Sequence, residues 1–167
     1  MKYTLAPGYR VDFIAHAPLH KFKGWVTREV EAQIDIDVLN QRFDVTAFGP
    51  VQSFDTGNKQ KNRAVMDFMM PGKFPNACVD VNQCTNFKEI GENRYQITVL
   101  MILEIMGIRR QMPVTFTAVQ EDESFFIEAA FKWSFSAYGL KAPRLLFLKV
   151  RDIVDIKASA QLVLAKN

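Results

Sequence analysis

The sequence predicts an all-β fold, an eight-stranded antiparallel barrel with one or two short helices in insertions. Three observations lead there. Apolar and polar residues alternate with period two in segment after segment, the mark of strands with one dry and one wet face. Short polar stretches separate several of these segments, and tight turns join antiparallel neighbours. The 167 residues suit one domain spanning 1–167, large enough to bury roughly two-thirds of its unfolded surface without covalent staples.

Taken in order, the first strand begins within a few residues of Met1, and short candidates follow at 9–16 and 20–27. Val30, Ala32, Ile34 and Ile36 alternate with Glu31, Gln33, Asp35 and Asp37, and another candidate lies at 42–48. Residues 55–69 lose the period; Asp55 or Thr56 can cap a short helix there, with Ala64, Val65, Phe68 and Met69 as its apolar side. A strand near 76–86 leads through a turn at 89–93 into the apolar phase Tyr95, Ile97, Val99, Met101, Leu103. Gly107 turns the chain into 110–119, and residues 120–124 turn it again into Phe125, Ile127, Ala129, Phe131 and Trp133. Residues 137–149 form a second insertion, where Pro143 favours a helix start. The last strand alternates Val154, Ile156, Ala158, Ala160 and Leu162 with Asp155, Lys157, Ser159 and Gln161. An up-and-down meander of such strands closes into a barrel and leaves no exposed edge.

Val11, Phe13, Phe22, Ile34, Val45, Val79, Val99, Met101, Leu103, Phe131 and Trp133 fall on the apolar phases. They face inward in a closed barrel, where they either pack a core or line a channel; alternation fits both. One feature favours the channel: Ala32, Ala47, Ala129, Ala158 and Ala160 are small for a filled eight-stranded interior. The aromatic inventory is 14 Phe against 4 Tyr and 2 Trp, with seven Met; Phe and Met bring no polar handle and suit an apolar cavity, but composition alone favours an ordinary Phe-rich core.

Net charge +3 is too small to imply nucleic acid, and no nucleic-acid-binding motif appears; it favours approach to an anionic membrane surface only weakly. No apolar run reaches transmembrane length. Cys78 and Cys84 fall in one predicted strand, six residues apart, so their Cα atoms would lie roughly 20 Å apart and the thiols stay free. No signal peptide precedes the first strand, so the chain as it stands reads as cytoplasmic, or periplasmic if it is a processed form; the compartment stays open.

The segment Ser53-Phe54-Asp55-Thr56-Gly57-Asn58-Lys59-Gln60-Lys61-Asn62-Arg63, followed by Asp67-Phe68 and Phe74-Pro75, resembles the signature of the YceI-like proteins. The similarity continues in order along the chain: Tyr3-Thr4-Leu5 with Pro7, Phe13 with His16 and His20, Phe22 with Gly24, the hairpin Leu103 to Val114, Ser134 to Leu140, and Val150 to Val154. Ala137 stands where the family carries Asp, and Glu104 where it carries Thr. The resemblance implies a lipocalin-like barrel with a hydrophobic channel for long-chain lipids such as polyisoprenoids, isoprenoid quinones or prenyl phosphates. It implies binding or carriage of such a molecule without catalysis, and a homodimer as in several relatives. The alternative is a structural or stress-related interaction protein with a dry core.

Polar groups suited to a ligand headgroup at the channel mouth are His16, His20, Lys59 and Arg63, with Lys61 in the same cluster as the two last. Cations beside backbone amides at a helix start can receive an anionic or carbonyl oxygen, although the same cluster also suits a solvated face. The two histidines lack carboxylates or thiols at metal-binding spacing, so neither a metal nor a cofactor beyond the lipid itself is expected. No nucleophile elbow or phosphate-binding loop occurs. An enzyme on this scaffold would need His16 or His20 facing the cavity.

Overall fold

The computed structural model describes residues 1–166. Its strands are β1 (Lys2–Leu5), β2 (Arg10–Ala17), β3 (His20–Val26), β4 (Glu31–Asp37), β5 (Arg42–Pro50), β6 (Asn76–Gly91), β7 (Arg94–Ile105), β8 (Ile108–Glu121), β9 (Ser124–Ser134), β10 (Arg144–Leu145), β11 (Leu148–Lys149) and β12 (Ile153–Leu164). Among the described residues the single α-helix is α1 (Lys59–Met69). Strands β5 to β9 form the expected meander, with turns at Glu92-Asn93, Met106-Gly107 and Asp122-Glu123.

Closure departs from a simple up-and-down order. β1 pairs with both β4 and β12, closing a ring of eight strands in the order β1, β4, β5, β6, β7, β8, β9, β12. Above β1, the same edge of β12 pairs with β2, and β2 carries β3. The ring is therefore built differently at its two ends. In the lower half β1 and β4 complete it. In the upper half the β2–β3 hairpin does, and a strap after β5 fills the remaining gap: the Trp25 N–H donates to Asp55 O at 2.8 Å, and the Asp55 N–H returns to Trp25 O at 2.9 Å.

The helix forms where the period breaks, but its N-cap is Asn58, whose side chain accepts from the Lys61 N–H at 3.0 Å; Asp55 and Thr56 serve the strap instead. The second insertion holds no α-helix at Pro143. Ser136–Tyr138 make a 3₁₀ turn that ends at Gly139, φ 66°, and β10 pairs with β11 in a small hairpin. Pro143 precedes a buried Leu145, and Leu146 and Phe147 both take positive φ, which a helix forbids. Asp152 anchors this insertion, accepting from the Ser134 and Ser136 hydroxyls and the Ser136 N–H at 2.7–2.8 Å. The Tyr138 hydroxyl donates to Leu103 O at 2.8 Å. The insertion and α1 together form a lid over the upper end.

The cysteines are free, but they do not share a face as even spacing implies. Irregularities in the β6–β7 register between Val81 and Gln83 and between Cys84 and Asn86 shift the phase. Cys84 packs on the lower core, whereas Cys78 sits outside beside Glu104. One bulged residue reverses the facing of everything after it.

Candidate functional site

Two apolar clusters fill the barrel's inner wall without filling its volume. The lower one centres on Tyr3, Phe43, Ile97 and Phe125, and the upper one on Phe22, Trp133, Phe135 and Tyr138 under the lid. A cavity of about 550 Å³ runs through both, from Phe43, Phe87 and Phe116 at one end to Phe135, Pro143 and Leu145 at the other. Its lining is almost wholly side-chain carbon. Volumes of this order suit one small ligand.

The expected channel residues Val11, Phe13, Phe22, Val45, Val79, Val99, Met101, Leu103, Phe131 and Trp133 all lie on this wall. Ile34 does not; it is buried in the lower cluster, beside its sheet partner Tyr3 of β1. Among the alanines, Ala47, Ala129 and Ala158 line the cavity, while Ala32 and Ala160 pack into the lower core. Ala47, Ala129 and Ala158 thus contribute little side-chain volume to the wall on which Phe13, Phe116 and Phe131 also stand.

The headgroup candidates are placed differently from the walls. His16 faces the outer surface, its Nε2 2.7 Å from Asp155 Oδ2. Lys132 first and His16 second hold the Asp155 carboxyl below its ordinary range. His20 sits exposed at the β2–β3 turn, and Lys59 and Arg63 are exposed on α1. The cation that reaches the cavity wall is Lys61, its ammonium 5.5 Å from the centre of the Phe22 ring; Lys23 borders the cavity from β3, but its side chain is exposed on the outer phase between Phe22 and Gly24. Sequence reasoning included Lys61 in the basic cluster but had no means to rank it above its neighbours; helical spacing turns it inward while Lys59 and Arg63 turn out. Among the described residues, no group of three His, Cys, Asp or Glu is placed to hold a metal ion.

The signature segment builds the strap. The Asn62 carboxamide oxygen accepts from the Thr56 N–H at 2.8 Å and from its hydroxyl at 2.6 Å, while its NH₂ donates to Asp55 Oδ1 at 3.0 Å. The Gly57 N–H also donates to Asp55 at 2.7 Å. These bonds, Asn62 first, depress the Asp55 pKa. Gly57 takes φ 75° and lies against the Trp25 ring, so a Cβ there would be strained. Phe54 points inward from the strap onto Gly24, where an added Cβ would fall 2.1 Å from Phe54 Cζ, and its ring makes an edge contact with Phe13 at 5.3 Å. The strap is thus both a wall of the cavity and the closure of the upper barrel.

Trp133 is only 7% exposed, and its indole N–H has no aligned acceptor among the described residues. The Tyr138 ring lies 5.1 Å away, centre to centre, but its hydroxyl donates to Leu103.

Solved structures share this architecture. BcnA of Burkholderia cenocepacia is 20% identical, with a TM-score of 0.75 over 94% of this chain and 98% of its own. A polyisoprenoid binding domain from Saccharophagus degradans, implicated in plant cell wall breakdown, is 14% identical, with a TM-score of 0.77 over 98% of each chain. A mutant YCEI protein of Campylobacter jejuni is 14% identical, with a TM-score of 0.72 over 90% of each. No curated protein matches the sequence at a significant level. The family model of the YceI-like domain matches residues 3–162, nearly the whole chain. Barrel, strap and signature agree with that match, and the chain belongs to the YceI-like domain family.

Proposed function

We propose that this protein binds one elongated apolar molecule, a polyisoprenoid or an isoprenoid quinone, along the barrel axis, and carries it without catalysis. The observation that supports this most is the cavity lined by carbon from Phe43 to Leu145, with the Lys61 ammonium at its wall. Each buried CH₂ contributes about 0.8 kcal/mol, so a prenyl chain can be held by its length alone. The similar Saccharophagus domain is named for polyisoprenoid binding. Lys61 is the cation positioned to meet a polar head. The non-catalytic reading is supported by the histidines, since His16 pairs with Asp155 on the outer face and His20 lies at an exposed turn.

The test is organic extraction of natively expressed protein, with mass spectrometry of the extract. A stoichiometric prenyl lipid or quinone is expected. Phe131→Trp adds bulk to the wall and should shift the bound population toward shorter chains. A clean extract, with no uptake of added prenyl lipids by folded protein, would instead favour the dry structural barrel, and an unchanged ligand profile in Phe131→Trp would remove the channel assignment.

A further inference from the structure

We propose that the lid end of the barrel docks on the surface of an anionic lipid bilayer. Two turns at this end carry large apolar side chains in full contact with solvent: Leu19 between β2 and β3, and Phe147 at the tip of the β10–β11 hairpin, 96% exposed. The two turns belong to one face. The Arg151 N–H donates to His16 O at 2.7 Å, tying the end of the insertion to the end of β2.

Neither residue is placed there by backbone preference. Leu19 has φ 61°, Leu146 φ 50° and Phe147 φ 68°. A two-residue turn with both φ positive is the geometry that Asn-Gly satisfies without strain. Leu-Phe in that position is unfavourable for the backbone and for hydration together, and nothing in the folded chain compensates by covering the ring.

Charge separates along the barrel in the same direction. The lid-end segments 18–21, 54–73, 104–110 and 137–152 hold eleven Lys or Arg against four Asp or Glu. The opposite end, segments 1–2, 35–44, 88–94, 121–123 and 165–166, holds five against eight. The modest net charge of +3 therefore conceals a strongly polarised molecule. Among the described residues, Lys21, Arg144, Lys149 and Arg151 beside the two tips take part in no ion pair. Leu39 is equally exposed at the other end, but there acids predominate. Apolar tips ringed by unpaired cations are the pattern that anchors a protein at an anionic interface, and only the lid end has it. This surface does not depend on what the cavity holds, so its test uses vesicles without isoprenoids.

The full chain is floated with vesicles of phosphatidylcholine mixed with phosphatidylglycerol, and with phosphatidylcholine alone. Binding to the anionic vesicles is expected, weakened by high salt. Leu19→Asn with Phe147→Asn suits the positive φ and keeps the fold, and should lower partitioning on the order of tenfold. Lys149→Gln with Arg151→Gln should lower it about fivefold per cation. Leu39→Asn should leave it unchanged. Absence of flotation, or an equal loss in Leu39→Asn, overturns the proposal. So does a dimer that the tip substitutions dissociate while vesicle binding stays the same, since a second copy would then cover this face.

Discussion

Gly24→Ala is the smallest substitution that tests how the upper barrel closes. A Cβ at Gly24 would lie 2.1, 2.6 and 2.9 Å from three atoms of the Phe54 ring. A rigid ring cannot yield by that much, so Phe54 must leave its seat. Its edge contact with Phe13 goes with it, and the two backbone bonds between Trp25 and Asp55 are then strained. A fully buried Phe lost from a core costs about 3–5 kcal/mol; Phe54 is half-buried, so about 2–3 kcal/mol is expected. Urea unfolding measures it as a lower midpoint at constant slope. The decisive comparison is the cycle with Phe54→Ala. In that background the space is empty, and alanine in a strand is favoured over glycine by about 0.5–1 kcal/mol. Gly24→Ala should then be neutral or slightly stabilising, giving a coupling of about 2–4 kcal/mol between neighbours. If Gly24→Ala costs the same with and without the Phe54 ring, the plug explanation is wrong.

Asn62→Leu removes three hydrogen bonds from the strap and leaves the Thr56 N–H without its acceptor; a loss of about 2–3 kcal/mol is expected in denaturant titration. Asn62→Asp keeps the acceptor but sets a second carboxylate against Asp55, so its destabilisation should grow from pH 4 to pH 7; a pH-independent cost would contradict the assigned bonds. Trp133→Phe removes a buried, unpartnered N–H along with some ring area, so stability should change by less than about 1 kcal/mol, whereas a loss above about 2 kcal/mol would mean that the indole bonds to Tyr138 after all. The carboxyls of Asp55, Asp80, Asp152 and Asp155 are all held below their ordinary values by donors. A group whose folded pKa is depressed stabilises above its unfolded pKa and loses that contribution as pH falls through the folded value. Stability should therefore be flat from about pH 8 to 5 and decline below about pH 4; a rise on acidification would refute the sign.

Much of the site was legible because alternation is a local property. A strand's pleat decides which of Phe131 and Lys132 faces inward before any partner is known, and that is why the predicted wall residues other than Ile34 stand on the cavity. Ile34 has the right phase, but it is buried in the lower cluster with Tyr3 and Phe43, and which inward residues are packed over is not a local property of the strand. The breakdown of period two likewise marked the helix and the lid insertion, though not the small hairpin within the lid. Its shape depends on Leu145 finding a buried place and on Asp152 holding the Ser134–Ser136 turn.

By itself, then, the sequence determined the strands, their inward faces, the family and the segment that would behave differently from the rest. Only the tertiary structure decided that the interior is hollow, because packing volume is a sum over strands far apart in the chain. It also decided that the 81–83 irregularity turns Cys84 inward, that Asn62 rather than the charged residues around it organises the signature, and that Lys61 is the helix cation on the cavity wall. Gly24 shows the division most simply: the family pattern marks the position, but the reason is a phenylalanine thirty residues later in the chain, resting where a side chain would otherwise stand.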